Sequence, residues 1–334
     1  MQLARWFAAA LCLCAVQGAW AQDDEPEGWD VNVGLGPLAL REQFLLSQTH
    51  LTLTPQDPRP TDRGRWRIGM TLDWANTFGR KNTTYLVDGE TVTTVPYVRY
   101  GVVEGLEVGL DVPILWRGGG SMDGFIQDFH DAFGVSQNGR ERLPDDDFDV
   151  FANDREGNFY RLDDEGWGLG NVGASAKLTL AQGDGRMPAL ALQALVTAPT
   201  GDQRHEFSQG GWDGGVIASV SKGFCGKLYL YGNAGLTAIS NDSQGPLDLA
   251  STRGFFMLGA EYRFTRCFSM VLQTSVTSSY FDEEHLDEWT WIAGLGPKFQ
   301  LGDRCKVEAG LLENYGGYDF SADFGVHLGF EVGF

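Results

Sequence analysis

The chain has 334 residues, with 45 Asp and Glu against 25 Lys and Arg and a net charge of -20 at pH 7. That balance excludes the usual nucleic-acid binder, whose basic surface answers phosphate. Beyond residue 21 no stretch approaches the roughly 20 apolar residues of a spanning helix. The cysteines left there, Cys225, Cys267 and Cys305, are too few for a disulfide scaffold and include no Cys-x-x-Cys pair for zinc.

Met1–Arg5 precedes an apolar run from Trp6 to Val16, and Ala19-Trp20-Ala21 gives a small-x-small pattern. Residues 1–21 therefore read as a secretory signal cleaved after Ala21. Residues 22–65 are irregular. Val31–Leu40 and Phe44–Thr54 are apolar enough for a plug inside a barrel or for two extra strands, and Pro55, Pro58 and Pro60 separate them from the first regular strand pattern. A periplasmic or plug segment is the expectation.

From Trp66 the pattern becomes regular. Period-two alternation of apolar and polar side chains recurs in Trp66–Phe78, Tyr85–Tyr100, Gly105–Arg117, Leu169–Leu180, Pro188–Pro199, Trp212–Lys222, Gly226–Ser240, Thr252–Thr265, Cys267–Tyr280, Glu288–Leu301, Cys305–Asn314 and Ala322–Phe334. The last is the clearest: Phe324, Val326, Leu328, Phe330, Val332 and Phe334 fall on one face, with Asp323, Gly325, His327, Gly329, Glu331 and Gly333 on the other. Most of these runs have the 9 to 11 residues or so that a tilted strand needs to cross a bilayer. Short turns alternate with longer polar loops, and both ends of the strand array fall on the short-turn side. Aromatic residues cluster toward both ends, with Trp74, Trp116, Phe256, Tyr280, Trp289 and Trp291 at the long-loop side. The expectation is an all-β chain: a transmembrane antiparallel β-barrel of about twelve strands over residues 66–334, exported to the cell outer membrane.

The faces opposite the apolar ones carry Arg67, Asp73, Arg99, Glu107, Asp111, Arg117, Lys177, Asn233, Glu261, Arg263, Gln273, Lys298, Lys306, Glu308, His327 and Glu331. Mixed charges in a narrow lumen suit a constricted polar channel or a salt-bridged filling.

The connection 118–168 is far longer than an ordinary loop. Its first part places Met122, Phe125, Ile126, Phe129 and Phe133 at helical spacing, with Asp123, Gln127, Asp128, His130 and Asp131 opposite. A short helix over the mouth or in the lumen is expected, as a lid or a rigid cap. Downstream, Asp145, Asp147, Asp149, Asp154 and Glu156 are the Ca²⁺ candidates, and no other cofactor is indicated. Aligning Gly157 with the glycine of a calcium loop puts Ala152 at the first ligand position, so that motif fails.

The rival to a channel is a hydrolase of membrane lipid. Of His50, His130, His205, His285 and His327, only His130 and His327 merit consideration as a base, and neither has a serine beside it in sequence. The acidic loops suit divalent cations bridging to lipopolysaccharide. The terminal Phe334 on an alternating strand is similar to the signal read by the barrel assembly machinery.

Gly64-Arg65-Trp66-Arg67, Leu72-Asp73-Trp74-Ala75-Asn76-Thr77-Phe78-Gly79, Tyr85-Leu86-Val87-Asp88, Val98-Arg99-Tyr100-Gly101 and Gly124-Phe125-Ile126-Gln127-Asp128-Phe129-His130 resemble a proteobacterial outer-membrane family known as domain of unknown function 3187. The stretch Ala322–Gly329 is similar too. The resemblance implies a barrel in the outer membrane and carries over no catalytic residue. The functional expectation is a channel or gated carrier for small solutes or lipidic molecules; a lipid hydrolase and a filled structural or surface-interaction barrel are the alternatives.

Overall fold

The computed structural model describes residues 33–81, 83–134, 139–183, 186–284, 286–316 and 318–334, and only the backbone of Phe129, Phe133 and Tyr318. The expected signal 1–21, the start of the segment 22–65, and His285 lie outside these residues.

Twelve antiparallel staves form the wall: β1 Trp66–Lys81, β2 Tyr85–Val103, β3 in two pieces (Leu106–Asp111 and Ile114–Gly118), β4 in two pieces (Gly166–Leu169 and Gly173–Ala181), β5 Ala189–Thr197, β6 Asp213–Phe224, β7 Leu228–Ile239, β8 Thr252–Arg263, β9 Phe268–Thr277, β10 Thr290–Leu301, β11 Cys305–Gly316 and β12 Phe324–Gly333. Each pairs with the next, and β12 pairs back onto β1 with Asp73 opposite His327. Closure matters physically, because an open edge in hydrocarbon would leave a row of unpaired N–H and C=O groups. The breaks in β3 and β4 face each other at Val112-Pro113 and Gly170–Val172. Pro113 has no N–H to give a ladder, and Gly170 N–H donates instead to its carbonyl at 3.0 Å.

Alternation divides the wall into two chemistries. Leu272, Leu295 and Leu311 lie side by side on the outer face of β9, β10 and β11 and are 58%, 50% and 50% exposed. Leu192, Leu236 and Leu258 continue the band and are equally bare. At roughly 25 cal/mol per Å² such a continuous apolar surface is costly in water and at ease in lipid. Its short-turn border carries aromatics in contact: Trp66 with Tyr100 at 4.4 Å, then Tyr262, Phe264, Phe268 and Phe299 in a chain with centroids 4.9, 5.4 and 5.2 Å apart. Trp289, Trp291 and Phe256 stand exposed at the other border. Tyr280, expected there, does not: it is buried in an apolar cluster inside the barrel.

The long connection also departs from expectation. Asp149–Asn153 pairs with β2 and then with Phe159–Leu162, so part of the loop is wall, extending the barrel beyond the end of β3. The helix α1, Asp123–Phe133, starts with an acid in its first turn and ends on Gly134 at φ 70°, both favourable at helix ends. It covers no mouth and enters no lumen. Met122 and Ile126 pack on Phe324, Trp74 and Val326, which are outward-facing residues of β12 and β1. The apolar stripe on α1 matches bare wall at the long-loop rim, and that match is stronger than any with the polar lumen.

Arg140 fastens this excursion. Its guanidinium is buried, pairs with Asp123, reaches Asn76 Oδ1 at 2.7 Å and Asp323 Oδ2 at 2.9 Å, and lies 4.6 Å above the Phe78 ring. Removing one partner from a buried ionic cluster costs about 3–5 kcal/mol. Arg140→Ala should therefore release α1 from the wall, and limited proteolysis should cut within residues 119–146 at least tenfold faster than in the wild type. Unchanged cleavage would mean that the apolar contacts alone hold the helix.

Candidate functional site

The lumen is occupied. Residues 33–65 run inside the barrel and add no strand to it, apart from a single bridge between Arg63 and Gly101. A non-ladder backbone in a dry interior still needs partners for its N–H groups. The wall supplies them from side chains spaced along different staves. The Glu261 carboxylate accepts from Leu35 N at 2.9 Å and Gly36 N at 3.2 Å. Gln273 accepts from Leu38 N at 2.9 Å and donates back to Leu38 O at 3.1 Å. Asn233 clamps Gln56 in the same two-way fashion, at 2.5 and 3.1 Å. Ala39 N donates to Glu308 at 2.9 Å, Leu51 N to Asp213 at 2.8 Å, and Thr61 N to Glu107 at 2.7 Å. Wall glycines make room: a Cβ on Gly294 would collide with Leu40.

The segment turns at the long-loop end, where Leu46–Thr49 form one 3-10 turn. Phe44, fully buried, sits between Tyr280, Phe281 and Phe320 with centroids at 5.9, 6.2 and 5.8 Å. Tyr85, Val87, Val150, Tyr160 and Leu247 close the cluster around it. Beside it Arg253 holds Glu42 at 2.8 Å, both buried. That end is sealed. Among the described residues the short-turn end is open: a vestibule of about 1140 Å³ lies between the segment and the wall, lined among others by Val33, Arg41, Arg59, Arg67, Glu107, Lys298 and Lys306.

Most of the inward residues singled out from sequence are paired. Arg67 pairs with Glu107 and, at 3.3 Å, with Glu331; Arg99 pairs with Asp111 at 2.7 Å. Lys177 reaches Glu107 at 3.3 Å, and Lys298 reaches Glu308 at 2.5 Å. His327 is fully buried between Asp73 at 2.7 Å on Nδ1 and Glu308 at 2.8 Å on Nε2. Both ring nitrogens are spent, so it offers no site for a general base. Arg263 donates to Val33 O at 2.7 Å, and Glu261 holds the same stretch. Arg117 belongs instead to the long-loop rim. It donates to the carbonyls of Asp164, His205 and Glu206 at 2.7, 2.5 and 3.0 Å and lies over the Phe207 ring.

The residues expected to line a lid do not. Phe125 is exposed on the outer side of α1 and touches Phe324, while His130 faces Glu313 on the outer wall at 3.6 Å. The side chain of Phe129 is not among those described. His205 is an exposed loop residue whose ring meets Asp202 at 2.8 Å; that carboxylate pushes its pKa above the ordinary 6.5. Ser208, three residues on, gives its hydroxyl to Asn171.

The calcium candidates do not converge either. Asp154 caps its own turn, accepting from Glu156 N and Asn158 N; Asp145 accepts from Gln127; Asp149 meets Arg161; and Asp147 accepts from Phe148 N. Among the described residues, the grouping with metal-ligand spacing is His130, Glu313 and Asp323, where Asp323 already pairs with Arg140. Sequence reasoning missed Glu42, Asp57 and Arg59, all on the luminal segment, because they conform to no periodic pattern.

A closed twelve-stave barrel with a lipid-facing apolar band and a polar, occupied lumen defines an outer-membrane β-barrel. The chain belongs to the family described as proteins of unknown function (DUF3187), whose model matches residues 24–334. No curated protein matches it. Among solved structures, the COG4313 outer membrane channel from Pseudomonas putida F1 is 13% identical, with a TM-score of 0.58 over 84% of this chain and all of that one. The NanC porin is 8% identical with a TM-score of 0.47, covering 79% of this chain and 98% of its own. The CymD monoaromatic hydrocarbon channel is 10% identical at 0.42, covering 92% and 99%. At such identities the likeness concerns the fold.

Proposed function

We propose that the protein is a plugged outer-membrane channel or carrier for small polar solutes, held closed by residues 33–65. The observation that carries this reading is the asymmetry of the lumen among the described residues: an apolar seal around Phe44 at one end and a charged vestibule at the other. A barrel filled for rigidity alone would gain nothing from so large an internal space. The segment is held by side chains rather than by a ladder, so it can leave without breaking the wall. The lining of Arg, Lys, Glu and Asp favours polar over lipidic cargo.

Planar bilayers test this. The wild type should be silent or open rarely. Arg253→Ala, which strands the Glu42 carboxylate at the tip, should give step-like openings at least tenfold more often. A correctly folded variant with no steps would favour the filled structural barrel instead.

A further inference from the structure

The wall-facing stripe of α1 runs Met122, Ile126, His130, four residues apart, so its third member is an imidazole where an apolar residue would be the ordinary choice. His130 is buried, and its Nε2 lies 3.6 Å from Glu313 Oε1 on β11. Asp323, just ahead of β12, brings a second carboxylate to the same point. One ligand atom from each of the three lies within 4.8 Å of the others. Three separate elements thus converge on one spot, on the outside of the barrel. The charges there do not balance. Glu313 has no Lys or Arg within 4.0 Å among the described residues, and the charge that bears on it is the carboxylate of Asp323. Arg140 meets Asp323 but is shared with Asp123, and buried Asp88 adds a further negative charge beside them. Asp88, Asp123, Glu313 and Asp323 therefore stand against Arg140 alone. Carboxylates crowded away from water are costly until a further cation joins them.

We propose that His130, Glu313 and Asp323 bind one divalent transition-metal ion, of the class of Zn²⁺, which clips α1 to the wall. An imidazole ligand selects such ions over Ca²⁺ and Mg²⁺, which take oxygen. Bonds of about 2.1 Å set the ligands of a tetrahedral ion about 3.4 Å apart, so His130 and Glu313 already have the spacing, and rotation of the Asp323 carboxyl closes the set. A carboxylate has two oxygens, so Asp323 can keep Arg140 on one and ligate with the other. Water completes a three-ligand site. The site is outside the lumen, and the proposal is independent of the channel reading.

The test is calorimetric titration of the metal-stripped, detergent-solubilised full-length protein with Zn²⁺. Saturable binding of one ion per chain is expected. His130→Ala and Glu313→Gln should each weaken it at least tenfold, since even the outer partners of a metal ligand are worth that much. His205→Ala and the double variant Cys225→Ser, Cys267→Ser remove exposed groups able to take Zn²⁺ adventitiously, and should leave the binding unchanged. Bound Zn²⁺ should also slow proteolysis within residues 119–146 several-fold in the wild type and not in His130→Ala, which a plain ion pair between His130 and Glu313 would not do. Heat-modifiable migration establishes that each variant has folded. The absence of saturable binding, its full retention in both folded variants, or its loss with His205 or the thiols instead overturns the proposal.

Discussion

Phe44→Ala should turn a closed barrel into a leaking one. The ring is fully buried among Tyr280, Phe281 and Phe320, and Tyr85 leans on Phe320 at 4.8 Å to complete the seal. Truncating a buried Phe costs about 3–5 kcal/mol, from lost transfer energy and from the void left behind. Here the loss falls on a segment of some thirty residues whose described attachments, apart from the backbone bridge at Arg63 and Gly101, are wall side chains, so the tip rather than the barrel should yield. Liposomes carrying the variant should swell in small sugars or amino acids at several times the wild-type rate, with β content unchanged by circular dichroism. Equal swelling rates would mean that the aromatic cluster is not the seal.

The second large effect concerns the seam between β1 and β12. His327→Ala would remove a buried imidazole that bridges Asp73 and Glu308. Glu308 keeps Lys298, whereas Asp73, fully buried, would be left without a cation within 4.0 Å among the described residues. Breaking a buried charged pair from one side costs about 3–5 kcal/mol, because the surviving charge stays desolvated. The temperature at which the compact band on a gel converts to the unfolded one should fall clearly below that of the wild type. Asp73→Asn combined with His327→Ala should recover part of the loss, since it leaves no bare carboxylate. A variant as heat-resistant as the wild type would assign the seam's stability to its backbone ladder and the apolar contacts alone.

These effects were unequally legible in the residues. The wall was readable because alternation is a local pattern with a fixed period: Leu295 and Lys298 fall on opposite faces whatever surrounds them. The inward placement of Asp73, His327 and Glu308 comes from the same count. Their meeting does not, because it depends on the register across three strands, β1, β12 and β11. The helix α1 was readable as a helix, but its docking partner was not. A stripe of Met122 and Ile126 specifies an apolar surface without saying which one, and the nearest was the outside of the barrel. Tyr280 was misplaced for a related reason: an aromatic at a strand end suits either a headgroup layer or an inner cluster, and Phe44, distant in sequence, decides between them. The luminal segment lacks periodicity altogether. Its course is dictated by where Glu261, Gln273, Asp213, Asn233 and Glu107 present acceptors, which is a property of the finished barrel.

Hydrogen exchange read by mass spectrometry on the full-length protein in detergent bears most directly on the central claim that residues 33–65 thread a closed barrel. The amides of Leu35, Gly36, Leu38, Ala39, Leu51, Gln56 and Thr61 donate to wall side chains, so peptides spanning 35–61 should exchange orders of magnitude more slowly than an unstructured chain. Exchange of those peptides at the free-chain rate, with the twelve staves still protected, would place the segment outside the lumen and contradict the account.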